Sequence, residues 1–126
     1  MARGATQRAS IADSGVVVAS RLRVADTHWT RLRGLLGTAA LPEGDGLWIR
    51  PCRQVHMFGM KYAIDVVFVD DARTVVGLVT ELRPWRVSPL VKAATSVIEL
   101  PAGTIARSGI REGQRLTIEP DGAAGR

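Results

Sequence analysis

Ile64-Asp65-Val66-Val67-Phe68-Val69 leads through Asp70-Asp71-Ala72-Arg73 into Thr74-Val75-Val76-Gly77-Leu78-Val79-Thr80-Glu81-Leu82. The first six residues are apolar at odd and even positions alike, with Asp65 the one interruption. A strand with one wet face would alternate, so this one predicts a central strand covered on both faces. The polar four-residue step makes a tight turn, and Thr74–Leu82 returns as the second arm of a hairpin.

To either side of the hairpin the reading stays extended. Gly15–Val24 predicts a strand or bent strand pair, Leu47–Arg50 a short strand, and Val55–Met60 an extended segment. Thr95–Leu100 and Gln114–Ile118 complete the set, and Pro84–Pro89 is an irregular excursion carrying Trp85. One helix is predicted at about 27–36. Asp26 or Thr27 can cap it, Trp29, Leu32 and Leu36 recur at helical spacing, and Gly37 ends it. A short helical turn is expected at about 104–108, closed by Gly109. Gly109 and Gly113 supply positive φ before Leu116 and Ile118 turn to the core. The fold class is mainly β (α+β): a small, partly closed antiparallel β-barrel or bent sheet.

The 126 residues suit one domain, with 46% apolar residues, thirteen Gly and six Pro. The domain is expected over 13–118, with 1–12 and 119–126 as frayed tails. No apolar run reaches the length of a membrane span, and Asp13-Ser14-Gly15 interrupts any secretory h-region, which predicts a soluble cytoplasmic protein. Cys52, the single cysteine, fits a reducing compartment. The net charge of +5 comes from arginines scattered in pairs with few aromatics between them. That scatter argues against nucleic acid and for a solvated surface.

Several ordered segments resemble the bacterial and archaeal family catalogued as domain of unknown function 192. They are Arg33-Gly34-Leu35, Leu41-Pro42, Gly46-Leu47, Phe58-Gly59-Met60-Lys61, Ile64 to Asp70, Ile98-Glu99-Leu100-Pro101-Ala102-Gly103, and the Gly109 to Gly113 closure. The resemblance spans roughly residues 24–118, and its strength is the order of the pieces. Where the family's commoner form resembles Phe-Trp-Met-Lys-Asn-Thr, this chain has His56-Met57-Phe58-Gly59-Met60-Lys61-Tyr62-Ala63, and Gln114 replaces an acidic residue. The resemblance implies a fold and carries no mechanism.

Chemistry concentrates in a few places. Cys52, His56, Met57 and Met60 look like soft-metal ligands. In an extended segment, however, Cys52, His56 and Met60 stand about 13 Å apart in succession, too far for one ion. No metal or cofactor is therefore expected, and the same spacing opposes a Cys52–His56 catalytic dyad. Asp65, inside an apolar strand, demands a partner. Lys61, Arg33 or backbone N–H groups near Met60 could supply it, making Asp65 with Arg33 a polar staple between helix and sheet; an acid–base or ligand role is the alternative. Glu99 lies on the face opposite Ile98 and Leu100, toward solvent or a cleft, and could meet Asp65 as a carboxylate pair. Trp85, flanked by Arg83 and Arg86, is either a lid or a contact residue.

With no complete catalytic set, the sequence favours a non-catalytic accessory or binding module for an unspecified protein partner or small ligand. Its candidate contact residues are His56, Met60, Lys61, Asp65, Trp85, Arg86 and Glu99. A small metabolite-binding protein or enzyme with a pocket around Asp65 is the alternative. Weak nucleic-acid binding through the arginines is the third.

Overall fold

The computed structural model describes residues 6–27, 30–31 and 34–121. Among them, strands β1 (Gln7–Ile11), β2 (Val17–Ala25), β3 (Asp45–Ile49), β4 (Ile64–Val69), β5 (Val75–Leu82), β6 (Ser96–Pro101) and β7 (Leu116–Pro120) form one sheet, and the short helix α1 (Thr104–Ser108) precedes β7. The sheet runs β5-β4-β6-β3-β2-β1-β7. Its outer strands approach at one end, where Thr74 bridges Arg115 and the Val75 N–H donates to the Gln114 carbonyl at 2.8 Å. The sheet thus curls into a half-barrel, mostly β with little helix, as the sequence predicts.

The strongly apolar β4 sits where its pattern requires. It pairs with β5 on one side and β6 on the other, both antiparallel. Val67 and Val69 face the barrel interior with Leu22, Ile98, Leu100 and Leu116. Ile64, Val66 and Phe68 face outward, under a second layer that includes Leu35, Val55, Met57 and Met60. Two apolar layers on one sheet explain why β4 never alternates.

Four expectations change. Residues 7–11, read as part of a tail, form β1, which pairs with β2 and β7 and buries Ala9 and Ile11. Only two inward side chains were needed there, and the flanking polar residues hid them. β7 likewise continues to Pro120, past the expected boundary at 118. The β2–β3 pair is parallel, because residues 26–44 form a crossover long enough to bring the chain back in the same direction. Residues 55–60 form no strand. His56 makes an isolated bridge to Val87, and the Met60 N–H turns back to the Met57 carbonyl at 3.3 Å, with Gly59 at φ +82°.

In the expected helix, Arg31 and Gly34 donate to the carbonyls of Thr27 and Thr30, and the Thr27 hydroxyl caps the Thr30 N–H at 3.0 Å. His28, Trp29, Leu32 and Arg33 lie outside the described residues. Leu35, rather than Leu36, is the buried residue at its end. The turn at 104–108 and the left-handed Gly109 and Gly113 are as expected. No helix of the described residues is long and apolar enough to cross a membrane.

Gly46 marks the tightest place in the core. A Cβ there would sit 3.0 Å from Leu22 Cδ1, 3.1 Å from Leu100 Cδ2 and 3.3 Å from Ala19 Cβ. Gly46→Ala should therefore cost about 1–3 kcal/mol of overpacking, measured by urea unfolding. A variant as stable as the wild type would mean that β2 and β6 part freely.

Candidate functional site

The layer over the outer face of β3, β4 and β6 is an irregular ribbon of residues 52–57 against 85–95. Cys52 N–H donates to the Thr95 carbonyl (3.1 Å), Val91 N–H to Arg53 (3.0 Å), Ser88 N–H to Val55 (2.9 Å) and Met57 N–H to Arg86 (2.9 Å). The buried Ser88 hydroxyl accepts from Val55 N–H at 2.9 Å, and Gln54 Nε2 donates to the Ser88 carbonyl at 2.9 Å. Between this ribbon, the sheet and the turn at 34–36 lies a cleft of about 350 Å³. Its apolar walls include Leu35, Ile49, Val55, Met57 and Met60. Its polar lining is Arg31, Cys52, Gln54, His56 and Glu99.

Glu99 is the anomaly of this cleft. Strand register places it opposite Val66 of β4 and Leu47 of β3, on the outward face. The residue is 6% exposed, and no hydrogen bond or ion pair reaches its carboxylate among the described residues. Burial pushes its pKa up from 4.5 to about 7. Burial also raises the Cys52 thiol, with the charge on Glu99 adding to the effect against the lowering influence of its hydrogen bonds and Arg31. The thiol donates to the Gln54 carbonyl at 3.2 Å. A protonated, hydrogen-bonded thiol is a poor nucleophile.

Asp65 belongs elsewhere. It pairs with Leu100, one residue out of step with Glu99, so the two carboxylates leave opposite faces of the sheet. Asp65 is 1% exposed and its partners are backbone donors. Oδ1 accepts from Glu81 N–H at 2.9 Å, and Oδ2 from Gly103 N–H at 3.1 Å and Ile105 N–H at 2.8 Å. Asp65 therefore staples the β5 irregularity at Glu81 and the start of α1 to β4, and it caps a helix that lacks a side-chain cap of its own. The expected partner Arg33 lies outside the described residues. Lys61 is exposed and does not line the cleft.

At the cleft mouth the aromatics come together. His56 and Phe58 rings stand 5.7 Å apart, and Phe58 and Trp85 rings 6.1 Å apart. Trp85 is 67% and Phe58 51% exposed. Arg83-Pro84-Trp85-Arg86 closes through Arg86 N–H to the Arg83 carbonyl at 3.2 Å, with Trp85 at φ +70°. That is the pattern of a type II turn, whose third position favours Gly because a side chain there is strained. Arg86 is exposed, with its carbonyl tied to Met57.

The bend at Gly59 lets Cys52, His56 and Met60 line one cleft despite the spacing argument, yet no three His, Cys, Asp or Glu side chains among the described residues are placed to hold a metal. Sequence reasoning singled out His56, Met60, Trp85 and Glu99 but missed Arg31 and Phe58 as lining residues. Phe58 carried a signal, a large apolar residue beside a turn glycine. Among the scattered arginines, Arg21 pairs with Asp45, Arg50 with Asp26 and Arg107 with Glu43, which further disperses the positive field.

Solved structures share this architecture. A Sinorhizobium meliloti protein provisionally assigned to transcription regulation superposes with a TM-score of 0.77 at 21% identity, covering 90% of this chain and 92% of its own. A Novosphingobium aromaticivorans protein of unknown function gives 0.70 at 22% identity, covering 93% and 96%. At these identities the likeness is one of fold. In sequence, a UPF0127 protein of Thermococcus sibiricus is 38% identical over 96 residues, which are 72% of this chain and 61% of the relative. A UPF0127 protein of Thermococcus kodakarensis is 31% identical over 105 residues, 79% and 66% respectively. The chain thus spans about three fifths of the length of the first relative. The profile of the family described as Uncharacterized ACR matches residues 9–118, and on that match the chain belongs to this family, domain of unknown function 192.

Proposed function

We propose that this chain is a non-catalytic small-ligand-binding module whose site is the cleft between the 52–57 ribbon and the turn at 34–36. The observation that carries the reading is Glu99, a buried carboxyl at the cleft with no partner among the described residues. A protein keeps such a group at a cost, and it gains a return when a ligand satisfies it. Trp85 supports the same site: a bulky residue accepts left-handed strain to stay exposed beside the cleft mouth. The raised Cys52 thiol argues for binding over nucleophilic chemistry. A cytoplasmic setting, where a lone thiol stays reduced, is part of this reading.

Two methionines of the cleft provide the test. With methyl-labelled methionine, small amphipathic fragments such as phenol, isovalerate and isoamylamine should shift the Met57 and Met60 signals. Trp85→Gly, which suits the turn's positive φ, should leave the fold intact and weaken those fragments several-fold. Fragments that perturb only the Trp48 indole, on the opposite face of β3, would reject the cleft as the site.

A further inference from the structure

The proposed cleft carries a second orphan besides Glu99. Arg31 lines it, donates from Nη1 to the Pro51 carbonyl at 3.4 Å, and leaves its buried Nε with no hydrogen-bond partner among the described residues. One cleft therefore holds an unpartnered acid and an unpartnered guanidinium donor, with no ion pair of 4 Å or less joining them. Neither group can be relieved by an apolar ligand, and a ligand with a single charge relieves only one of them.

From these two groups, and resting on the cleft reading above, we infer that the ligand is a small zwitterion with an apolar tail: an ammonium for Glu99, a carboxylate for Arg31, and an aliphatic or thioether body against Leu35, Val55, Met57 and Met60. The guanidinium fork matches a carboxylate in plane and charge. The volume of about 350 Å³ lies at the small end of ligand cavities, which suits a molecule the size of a free amino acid.

Zwitterion binding carries a pH dependence that a mere hydrophobic pocket lacks. An ammonium contacts the ionised carboxylate, so binding must release the Glu99 proton wherever it is bound. With that carboxyl titrating at about 7, affinity should rise roughly thirtyfold between pH 5.5 and pH 8. Among the described residues, the other charged and titratable groups lining the cleft with Glu99 are Arg31, from the helical turn, and Cys52 and His56, from the ribbon. The guanidinium stays charged throughout, and the thiol is held protonated by its burial. An imidazole can change charge near neutrality, so His56 needs its own control.

Isothermal titration with L-leucine and L-methionine, beside isoamylamine and isovalerate, tests this. The zwitterions should bind at least tenfold more tightly than either single-charge analogue at pH 8. Glu99→Gln, which keeps shape and removes the charge, should lose at least tenfold and flatten the pH profile, whereas His56→Gln should keep the profile. An unchanged or raised melting temperature shows that Glu99→Gln still folds. Isovalerate binding best and tightening as pH falls would overturn the zwitterion in favour of a plain anion. Silent zwitterions alongside fragments that still shift Met57 and Met60 would reject this ligand class and leave the cleft reading standing. Silence from every compound would reject both.

Discussion

Asp65→Ala should lower the unfolding free energy by about 4 kcal/mol and accelerate amide exchange at Glu81, Gly103 and Ile105 together. The reason lies in what the substitution leaves behind. Three N–H groups donate to one carboxylate at 2.8–3.1 Å, and all three lose their acceptor at once. A buried orphan donor costs about 1–3 kcal/mol, and part of that is recovered if the turn opens to water. Glu81, held at φ +47°, and the first turn of α1 are the places that would open. Asp65→Asn should lose less, since its amide keeps one acceptor oxygen while presenting an NH₂ group to the other donors. A domain of this size has only about 5–15 kcal/mol in total, so the Ala variant should be visibly marginal by urea unfolding. A loss below 1 kcal/mol with unchanged exchange at the three amides would show that the staple is dispensable.

Asp65 also shows where the sequence stops being legible. That a carboxylate inside Ile64–Val69 needs a partner follows from the residue types alone. Its partner does not, because the donors are main-chain N–H groups of residues 81, 103 and 105, which leave no letter in the sequence. The central strand, the hairpin and the glycine closure were legible because periodicity and turn chemistry are local. β1 was not, since Gln7-Arg8-Ala9-Ser10-Ile11 offers two apolar side chains and is held by partners on both sides, β2 and β7. For the site, alternation placed Glu99 opposite Ile98 and Leu100, which was right, and left open what covers that face. The cover is the ribbon of residues 52–57 and 85–95, a long-range pairing of irregular segments with no period to read. The expected meeting of Asp65 and Glu99 depended on inter-strand register, and one residue of offset sends them to opposite faces.

Glu99 should make the protein less stable as pH rises, the reverse of ordinary acid denaturation. Its carboxyl titrates at about 7 in the folded chain against 4.5 as the reference value, so the folded state binds the extra proton between those values. The stability it contributes is full below pH 4.5, falls as pH rises, and is lost above about 7. At roughly 1.4 kcal/mol per pH unit, the whole change is about 3 kcal/mol. Exposed carboxylates elsewhere add their own pH dependence, so the decisive quantity is the difference between wild type and Glu99→Gln. The Gln variant has nothing to ionise, and its advantage should grow by about 3 kcal/mol from pH 4.5 to pH 8 in parallel urea unfolding curves. A constant difference across that range would mean that the carboxylate is solvated in the folded chain, and the unpartnered acid on which the ligand site rests would be gone. Growth of the difference in ligand-free protein, suppressed by adding a ligand at pH 8, would tie the stability cost and the binding site to the same oxygen atoms.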